Sequence, residues 1–398
     1  LSWATASPVS GGASGASLLL STRSVLNKDS ALGRPSPSLQ TVTLLLLPST
    51  SAAPLVCGVH LALALAQPLA GRVKPPHVVM LTCGVLAYRS GGAPSHAAHG
   101  GGWGFARVLR LEHPTLHAQS ADVDRNSTRE EVHSLLIVRT AEVEMSWRST
   151  QPFAARLRAC FMPSTLTPAT SNALTGCYAI SGGLGGLGLR AADLLVSQGV
   201  THLDLVSRSG LIARDGQGLA MQLYSLYSSS IANVRISAVD TVSSQHVQSL
   251  AMLGWPLSGY LHAASAFMSS RISSPEMAPS LWLHVDGPKT RGGAHLRNVT
   301  AQLVLQAALS YSSLAALASA FVYAGTGAYA AANAYLDSLS ACTRQCGTTS
   351  CSMQMANVGG QGSGAMAPDQ MARLPGMVRI TLDQYDASLA SALLPTAS

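Results

Sequence analysis

Four side-chain types at four places in this chain could together act on a carbonyl group. Tyr329 and Asn333 stand four residues apart in "AYAAANAYLD", a spacing that puts both on one face of a helix. Tyr335 and Asp337 are expected on other faces. Upstream, "SYSS" offers Ser312 and Ser313 at what should be a strand end. Farther upstream, Lys289 stands in "GPKTRGGAHL", in a chain where lysine is rare. Reduction of a ketone by hydride needs an acid to protonate the forming alkoxide. A phenol can serve if its pKa falls from about 10 toward neutrality, at about 1.4 kcal/mol per unit. One ammonium group at about 4 Å supplies roughly 4 kcal/mol at an effective dielectric near 20. A single lysine is therefore a perturbation of the right size. A serine hydroxyl can hold the carbonyl oxygen, and an asparagine can position water or the lysine.

The hydride source is legible in "CYAISGGLGGLGLRAADLL", which places five glycines within residues 182–188. An apolar strand-like run precedes them and a helix-like run follows. Gly183, Gly185 and Gly188 give G-x-G-x-x-G, while Gly182, Gly186 and Gly188 give G-x-x-x-G-x-G. Backbone without Cβ atoms can turn sharply and approach a pyrophosphate, and the helix that starts here favours an anion. An NAD site would place an acid about 20 residues on. Here Arg208, in "VSRSG", stands 20 residues after Gly188 (208 − 188), and a guanidinium suits the 2′-phosphate of NADP. Asp240 ends the next strand and could bond the adenine amino group. "LHAAS" puts small residues where a flat cofactor must lie. The expected cofactor lining is Ser181, Gly182, Gly183, Leu184, Gly185, Gly186, Leu187 and Gly188, then Ser207 and Arg208, Asp240, and His262, Ala263 and Ala264. No metal is expected.

These residues need a scaffold, and 398 residues with 47% hydrophobic content allow two ordinary domains. Only 11% of residues are charged, well below the usual ~25%. The first residue is Leu, which suits a piece of a longer polypeptide. The net charge of +7 comes from scattered residues without a basic run or stripe, so nucleic acid is not an expected partner. The seven cysteines follow no zinc spacing, and an odd count suits a reducing cytoplasm. Apolar runs such as "APLVCGVHLALALAQPL" fall short of the ~20 residues of a membrane span, and no signal peptide is read. Residues 1–38 are Ser/Gly/Pro-rich and read as a poorly ordered or remnant segment. From "TVTLLLLP" onward, strand and helix patterns alternate through residues 39–170. A Pro/Ser/Thr-rich stretch marks a boundary, and the alternation resumes over 171–398. Alternating strands and helices imply a Rossmann-like α/β fold with doubly wound parallel sheets, in two similar subdomains.

The motifs "YAISGGLGGLGL", "LVSRSG", "GYLHAAS", "GPKTRGGAHL", "YSSLAAL" and "AYAAANAYLDSL" in this order resemble the ketoreductase domain of modular polyketide synthases, within the short-chain dehydrogenase/reductase superfamily. "HVVMLTCGVLAY" and "WGFARVLRLEHP" resemble the truncated, non-binding structural subdomain that precedes the catalytic one. The resemblance covers about residues 40–395. It implies NADPH-dependent reduction of a β-ketoacyl thioester carried by the phosphopantetheine of an acyl carrier protein, beside other synthase domains in the same polypeptide. It assigns Tyr329 as proton donor, Ser313 as carbonyl anchor, Lys289 as the pKa-lowering cation and Asn333 as its support.

The sequence also departs from that pattern. Ser313 to Tyr329 is 16 positions (329 − 313), about three more than the resembled spacing. Ser265 stands where the family has Gly beneath the nicotinamide. "FMSS" replaces a Leu-Asp-Asp motif, Phe321 stands where a Trp is frequent, and "MANV" (Met355 to Val358) replaces Trp-Gly-x-Trp near the substrate lid. Two other readings stay open: a fatty acid synthase reductase, and a catalytically degenerate scaffold domain of a megasynthase.

Overall fold

The computed structural model describes residues 2–5, 16–21, 39–46, 56–86, 97–124, 127–128, 132, 142–148, 151–156, 174–214, 217–229, 231–251, 256–318, 321–360 and 379–393. In chain order the first elements are β1 (Ser2–Thr5), β2 (Ala16–Ser21), β3 (Leu39–Leu45), α1 (Val56–Ala70), β4 (His77–Cys83), α2 (Gly101–Glu112), β5 (Gln119–Val123), β6 (Glu144–Arg148) and β7 (Gln151–Arg156). They build a sheet of order β1-β7-β6-β5-β4-β3-β2. Its strands from β2 to β6 are parallel, while β7 and β1 add antiparallel. β4 is buried along "VVMLT", as a strand covered on both faces must be.

β1 and β2 lie within residues 1–38, the segment read as poorly ordered or remnant, and form the two edges of this sheet. They are 4 and 6 residues long, too short among Gly and Ser to show a periodic pattern. The rest of that segment, and the boundary expected near residue 170, lie outside the described residues.

The second sheet is all parallel. Its elements are β8 (Cys177–Ser181), α3 (Gly186–Ser197), β9 (His202–Ser207), α4 (Leu219–Ser228), β10 (Asn233–Ala238), α5 (Ser244–Ala251), β11 (Leu257–His262), α6 (Pro279–Val299), β12 (Ala307–Ser313), α7 (Gly327–Gln345), β13 (Cys351–Met355) and α8 (Leu382–Leu393). The order is β10-β9-β8-β11-β12-β13. The chain therefore reverses its direction of travel across the sheet between β8 and β11. Ligands of open α/β sheets bind at such a switch, at the carboxyl ends of the strands. β8 is buried throughout and pairs Ile180 with Leu205 on one side and Leu261 on the other.

α2 of the first sheet packs directly on α7 of the second. A Cβ on Gly104 would sit 2.1 Å from the Ala330 carbonyl oxygen, so only glycine allows this approach. Phe105 of α2 meets Trp282 of α6 with ring centres 5.7 Å apart. One continuous cluster joins Leu44, Phe105, Trp282, Ala330 and Ala331. Arg107 of α2, paired with Glu144 of β6, also bonds the Ala316 carbonyl just past β12. Among the described residues, no helix is long and apolar enough to cross a membrane.

Candidate active site

Tyr329 sits in the first turn of α7, Ser313 ends β12, and Lys289 lies midway along α6. All three line one cleft of about 660 Å³, together with Gly182, Gly185, Gly186 and Gly188 of the glycine turn and with Arg208. Ser313 and Tyr329 face the same cleft, and the serine hydroxyl favours the phenolate electrostatically. The longer spacing between them therefore still leaves both side chains on one cleft. The chain between them ends in a turn in which Thr326 N–H donates to the Tyr323 carbonyl at 3.2 Å, just before α7. Ser312, the other serine considered, donates instead to the Asn333 carbonyl at 3.2 Å. It is 4% exposed.

Lys289 is 3% exposed, and its Nζ donates to the Tyr311 carbonyl at 2.6 Å. Nζ lies 5.8 Å from the centre of the Tyr329 ring. Burial lowers the lysine pKa to about 8, and the charge of Asp337 opposes that shift. Burial raises the pKa of Tyr329, while hydrogen bonds from Ser313 and then Asn333 pull it down. The phenol is thus a proton-bearing group across neutral pH, and the anion it leaves has Ser313 and a nearby cation in the same cleft. Asn333 is fully buried; its Nδ2 donates to the Tyr329 carbonyl at 2.8 Å, and its Oδ1 has no partner among the described residues. Asp337 corrects the expectation that it points elsewhere. It lies one turn beyond Asn333, is held by Ser352 and by Gln354 at 2.6 Å, and acts electrostatically on Lys289. The i, i+4 rule that found Asn333 was the signal for it.

The glycine turn has the shape a nucleotide needs. Gly182 has φ +72°, and a Cβ there would lie 2.9 Å from the Ala263 backbone. A Cβ on Gly188 would come within 2.4 Å of the Gly182 carbonyl oxygen. Gly185 precedes α3 in an extended conformation and gives the helix no side-chain cap. The first backbone N–H groups of α3 are therefore unclaimed donors facing the cleft. Leu184, Leu187, Ser207 and Ala263 also line it. Arg208 is exposed, and neither it nor Arg214 joins an ion pair among the described residues. Arg214, absent from the sequence reading, reaches the cleft because Ala213 N–H donates to the Leu184 carbonyl at 3.0 Å. No periodicity marks it. A nicotinamide dinucleotide, with its anionic pyrophosphate, fits this donor set.

Five residues expected in the cofactor lining are not on the cleft wall. Ser181 and His262 lie behind it: Ser181 Oγ meets His262 Nδ1 at 2.6 Å, and His262 Nε2 meets the Lys289 carbonyl at 2.9 Å. Burial lowers the His262 pKa to about 4, so a neutral ring braces the strand end against the lysine. Gly183 packs inward, where a Cβ would meet the Ile180 carbonyl oxygen at 2.6 Å. Asp240 accepts from Val242 N–H at 3.0 Å and shapes the turn after β10. Ala264 also lies off the wall. The positions that depart from the resembled motifs, with Tyr323 and Thr326, complete the mouth. Phe267 meets the Tyr329 ring edge-on, with centres 5.4 Å apart. Ser265, Phe321, Tyr323, Thr326 and the stretch Met355 to Val358 also line the cleft.

A parallel sheet with a glycine turn at its switch point and a Ser–Tyr–Lys group in the same cleft defines a Rossmann-like reductase. Residues 176–360 match the family model of the KR domain. A solved A1-type ketoreductase superposes with TM-score 0.81 at 26% identity, covering 98% of this chain and 89% of that one. An A-type ketoreductase from a modular polyketide synthase gives TM-score 0.81 at 25% identity, covering 98% and 89%. Pikromycin polyketide synthase component PikAIII of Streptomyces venezuelae is 31% identical over 297 residues, 73% of this chain and 18% of that protein. 5-Methyl-1-naphthoate synthase of Streptomyces sahachiroi is 30% identical over 293 residues, 69% and 16%. The chain belongs to the ketoreductase domains of polyketide synthases, which are oxidoreductases that take a nicotinamide cofactor. It spans about a sixth of the length of these curated relatives.

Proposed function

We propose that this chain reduces the β-ketone of an acyl thioester carried by acyl carrier protein to a β-hydroxyl, using NADPH. The observation that carries this reading is that Ser313, the Tyr329 phenol, a buried ammonium 5.8 Å from its ring centre and the glycine turn share one cleft. The glycine turn, the open N-terminus of α3 and Arg208 are the residues that would hold NADPH, Arg208 taking the 2′-phosphate. Bound there, the cofactor would supply hydride to the carbonyl carbon.

The side chains do the rest. Ser313 offers a hydroxyl to the carbonyl oxygen and resists the build-up of negative charge by donating to it. Tyr329 gives its phenol proton to that oxygen. The phenolate left behind faces the Lys289 ammonium, and at 5.8 Å from the ring centre their attraction is about 3 kcal/mol at an effective dielectric near 20. That is roughly two pK units, enough to offset much of the cost of charging a buried phenol. Asn333 holds the backbone of the tyrosine turn and keeps a free carbonyl oxygen beside it. The positive balance of the chain, +7, favours an acidic carrier protein. Other synthase domains in the same polypeptide would deliver and receive the thioester.

The test is NADPH oxidation with a β-keto thioester surrogate, followed by absorbance. Wild type should turn over, and Tyr329→Phe should lose at least about 10²-fold in kcat while NADPH still binds. Binding without turnover in the wild type would leave a degenerate site, and no binding would leave a scaffold.

A further inference from the structure

The mouth of the cleft is made by two chain segments that follow different strands. Residues 263–272 follow β11 and carry Ser265, Ala266 and Phe267, while residues 321–326 precede α7 and carry Phe321, Tyr323 and Thr326. The two segments touch where Ser270 N–H donates to the Gly325 carbonyl at 3.0 Å. Both are also held by one side chain from the other sheet. Glu112, the last residue of α2, accepts from Ile272 N–H through Oε2 at 2.7 Å and from Gly325 N–H through Oε1 at 2.6 Å. Gln67 of α1 adds a bond from its Nε2 to the Ile272 carbonyl at 3.0 Å.

We propose that Glu112 is a positioning residue of the ketoreductase site, clamping both lips of the cleft to the first sheet. The inference rests on the function proposed above. A carboxylate can satisfy two amides at once because each oxygen accepts independently. No other side chain of the first sheet bonds Gly325 among the described hydrogen bonds. Gly325 has φ +85°, and a Cβ on it would sit 2.3 Å from Ser269 Oγ. The second lip is thereby seated against the first with no room for slack. Tyr329 begins one turn after Gly325, and Phe267 rests on its ring. Fixing Ile272 and Gly325 therefore fixes the phenol relative to the lip that covers it. Without the clamp, the described hydrogen bonds that hold the 321–326 turn are its own and that of Ser270, beside the burial of Val322 in the core. The first sheet would then serve the chemistry directly as well as stabilising the fold.

The test uses the 398-residue chain as wild type, Glu112→Gln and Glu112→Ala. Amide hydrogen exchange is measured first without cofactor. Glu112→Ala should accelerate exchange at Ile272 and Gly325 by about tenfold or more, the size of losing a charge-assisted bond. Amides of β8 should stay within about twofold, the resolution of a factor small beside RT. Glu112→Gln keeps one accepting oxygen and should accelerate one of the two amides. With NADPH and the thioester surrogate, Glu112→Ala should lower kcat about tenfold or more through the mispositioned phenol. NADPH affinity should hold. Unchanged exchange at both amides overturns the clamp, as does acceleration spread equally through β8. Unchanged kcat with both amides released overturns its catalytic role. A wild type that binds NADPH but reduces no β-keto thioester overturns the function proposed above, and the exchange pattern then still decides the clamp.

Discussion

Gly104→Ala tests the dependence of the catalytic helix on the first sheet. A Cβ at position 104 would lie 2.1 Å from the Ala330 carbonyl oxygen, 2.4 Å from its carbon and 2.7 Å from the Ala331 nitrogen. All three are backbone atoms, so no rotamer relieves the overlap. Ordinary contact begins near 3.4 Å, which asks α2 and α7 to separate by about 1.3 Å (3.4 − 2.1). Overpacking of this kind costs about 1–3 kcal/mol. At roughly 2–4 °C per kcal/mol, Tm should fall by several degrees. Ala330 follows Tyr329 directly, and a ~1 Å displacement of a reacting group can cost about 10²-fold. The expected result is a 10- to 100-fold lower kcat with NADPH affinity near wild type, because the glycine turn and Arg208 lie on other elements. Gly287→Ala is the control: its Cβ would meet only Val242, at 3.5 Å, so α6 should tolerate or gain from it. Wild-type kcat and Tm in Gly104→Ala would refute the buttress. An equal loss of NADPH affinity and kcat would refute its specificity for the catalytic helix.

Arg208→Ala removes an exposed guanidinium that joins no ion pair among the described residues, so calorimetric titration should show NADPH weakened by about tenfold or more and NADH almost unchanged; equal losses would remove the 2′-phosphate assignment. Lys289 gives a pH signature with opposite signs for activity and stability. Its pKa falls from 10.5 to about 8 on burial, so kcat should decline as pH rises through about 8 and the ammonium discharges. Between pH 8 and 10.5 the unfolded chain binds the extra proton, so this group's contribution to stability rises there, by up to about 3 kcal/mol. The readout is the stability difference between wild type and Lys289→Gln across that window; a flat difference would refute it. Asp337 holds the lysine pKa up, so Asp337→Asn should move the alkaline limb of kcat to lower pH, and an unmoved limb would show that the two charges do not communicate.

Local patterns showed what local geometry decides. The glycine turn was readable because its spacing is itself a backbone shape, and Tyr329 with Asn333 because four residues make one helical turn. Strand ends were placed correctly, but the sequence does not say which end residues face the cleft and which face the core. His262 and Ser181 were therefore read as cofactor wall, whereas they brace Lys289 from behind. Asp337, four residues after Asn333, is within reach of the same turn rule. Glu112 was not within reach, because its partners lie 160 and 213 residues away. Only the packing of one sheet on the other brings them together.

The spacing between Ser313 and Tyr329 shows why a departure from a motif need not move a site. Their separation in space is set by β12 and α7, which are fixed by the sheet and by the glycine contact with α2. The loop between them only has to connect the two ends. Lengthening such a loop costs free energy that grows slowly, by about 0.6 kcal/mol for each doubling, so three extra residues are cheap if they find bonds of their own. The loop has such bonds: Thr326 Oγ1 donates to the Tyr323 carbonyl at 2.6 Å, and Gly325 N–H donates to Glu112. Motif spacing along the chain is thus a weak witness to catalytic competence here. The strong witness is whether the elements at both ends are packed on something rigid, which makes the α2–α7 contact, rather than the loop, the place where this site is won or lost.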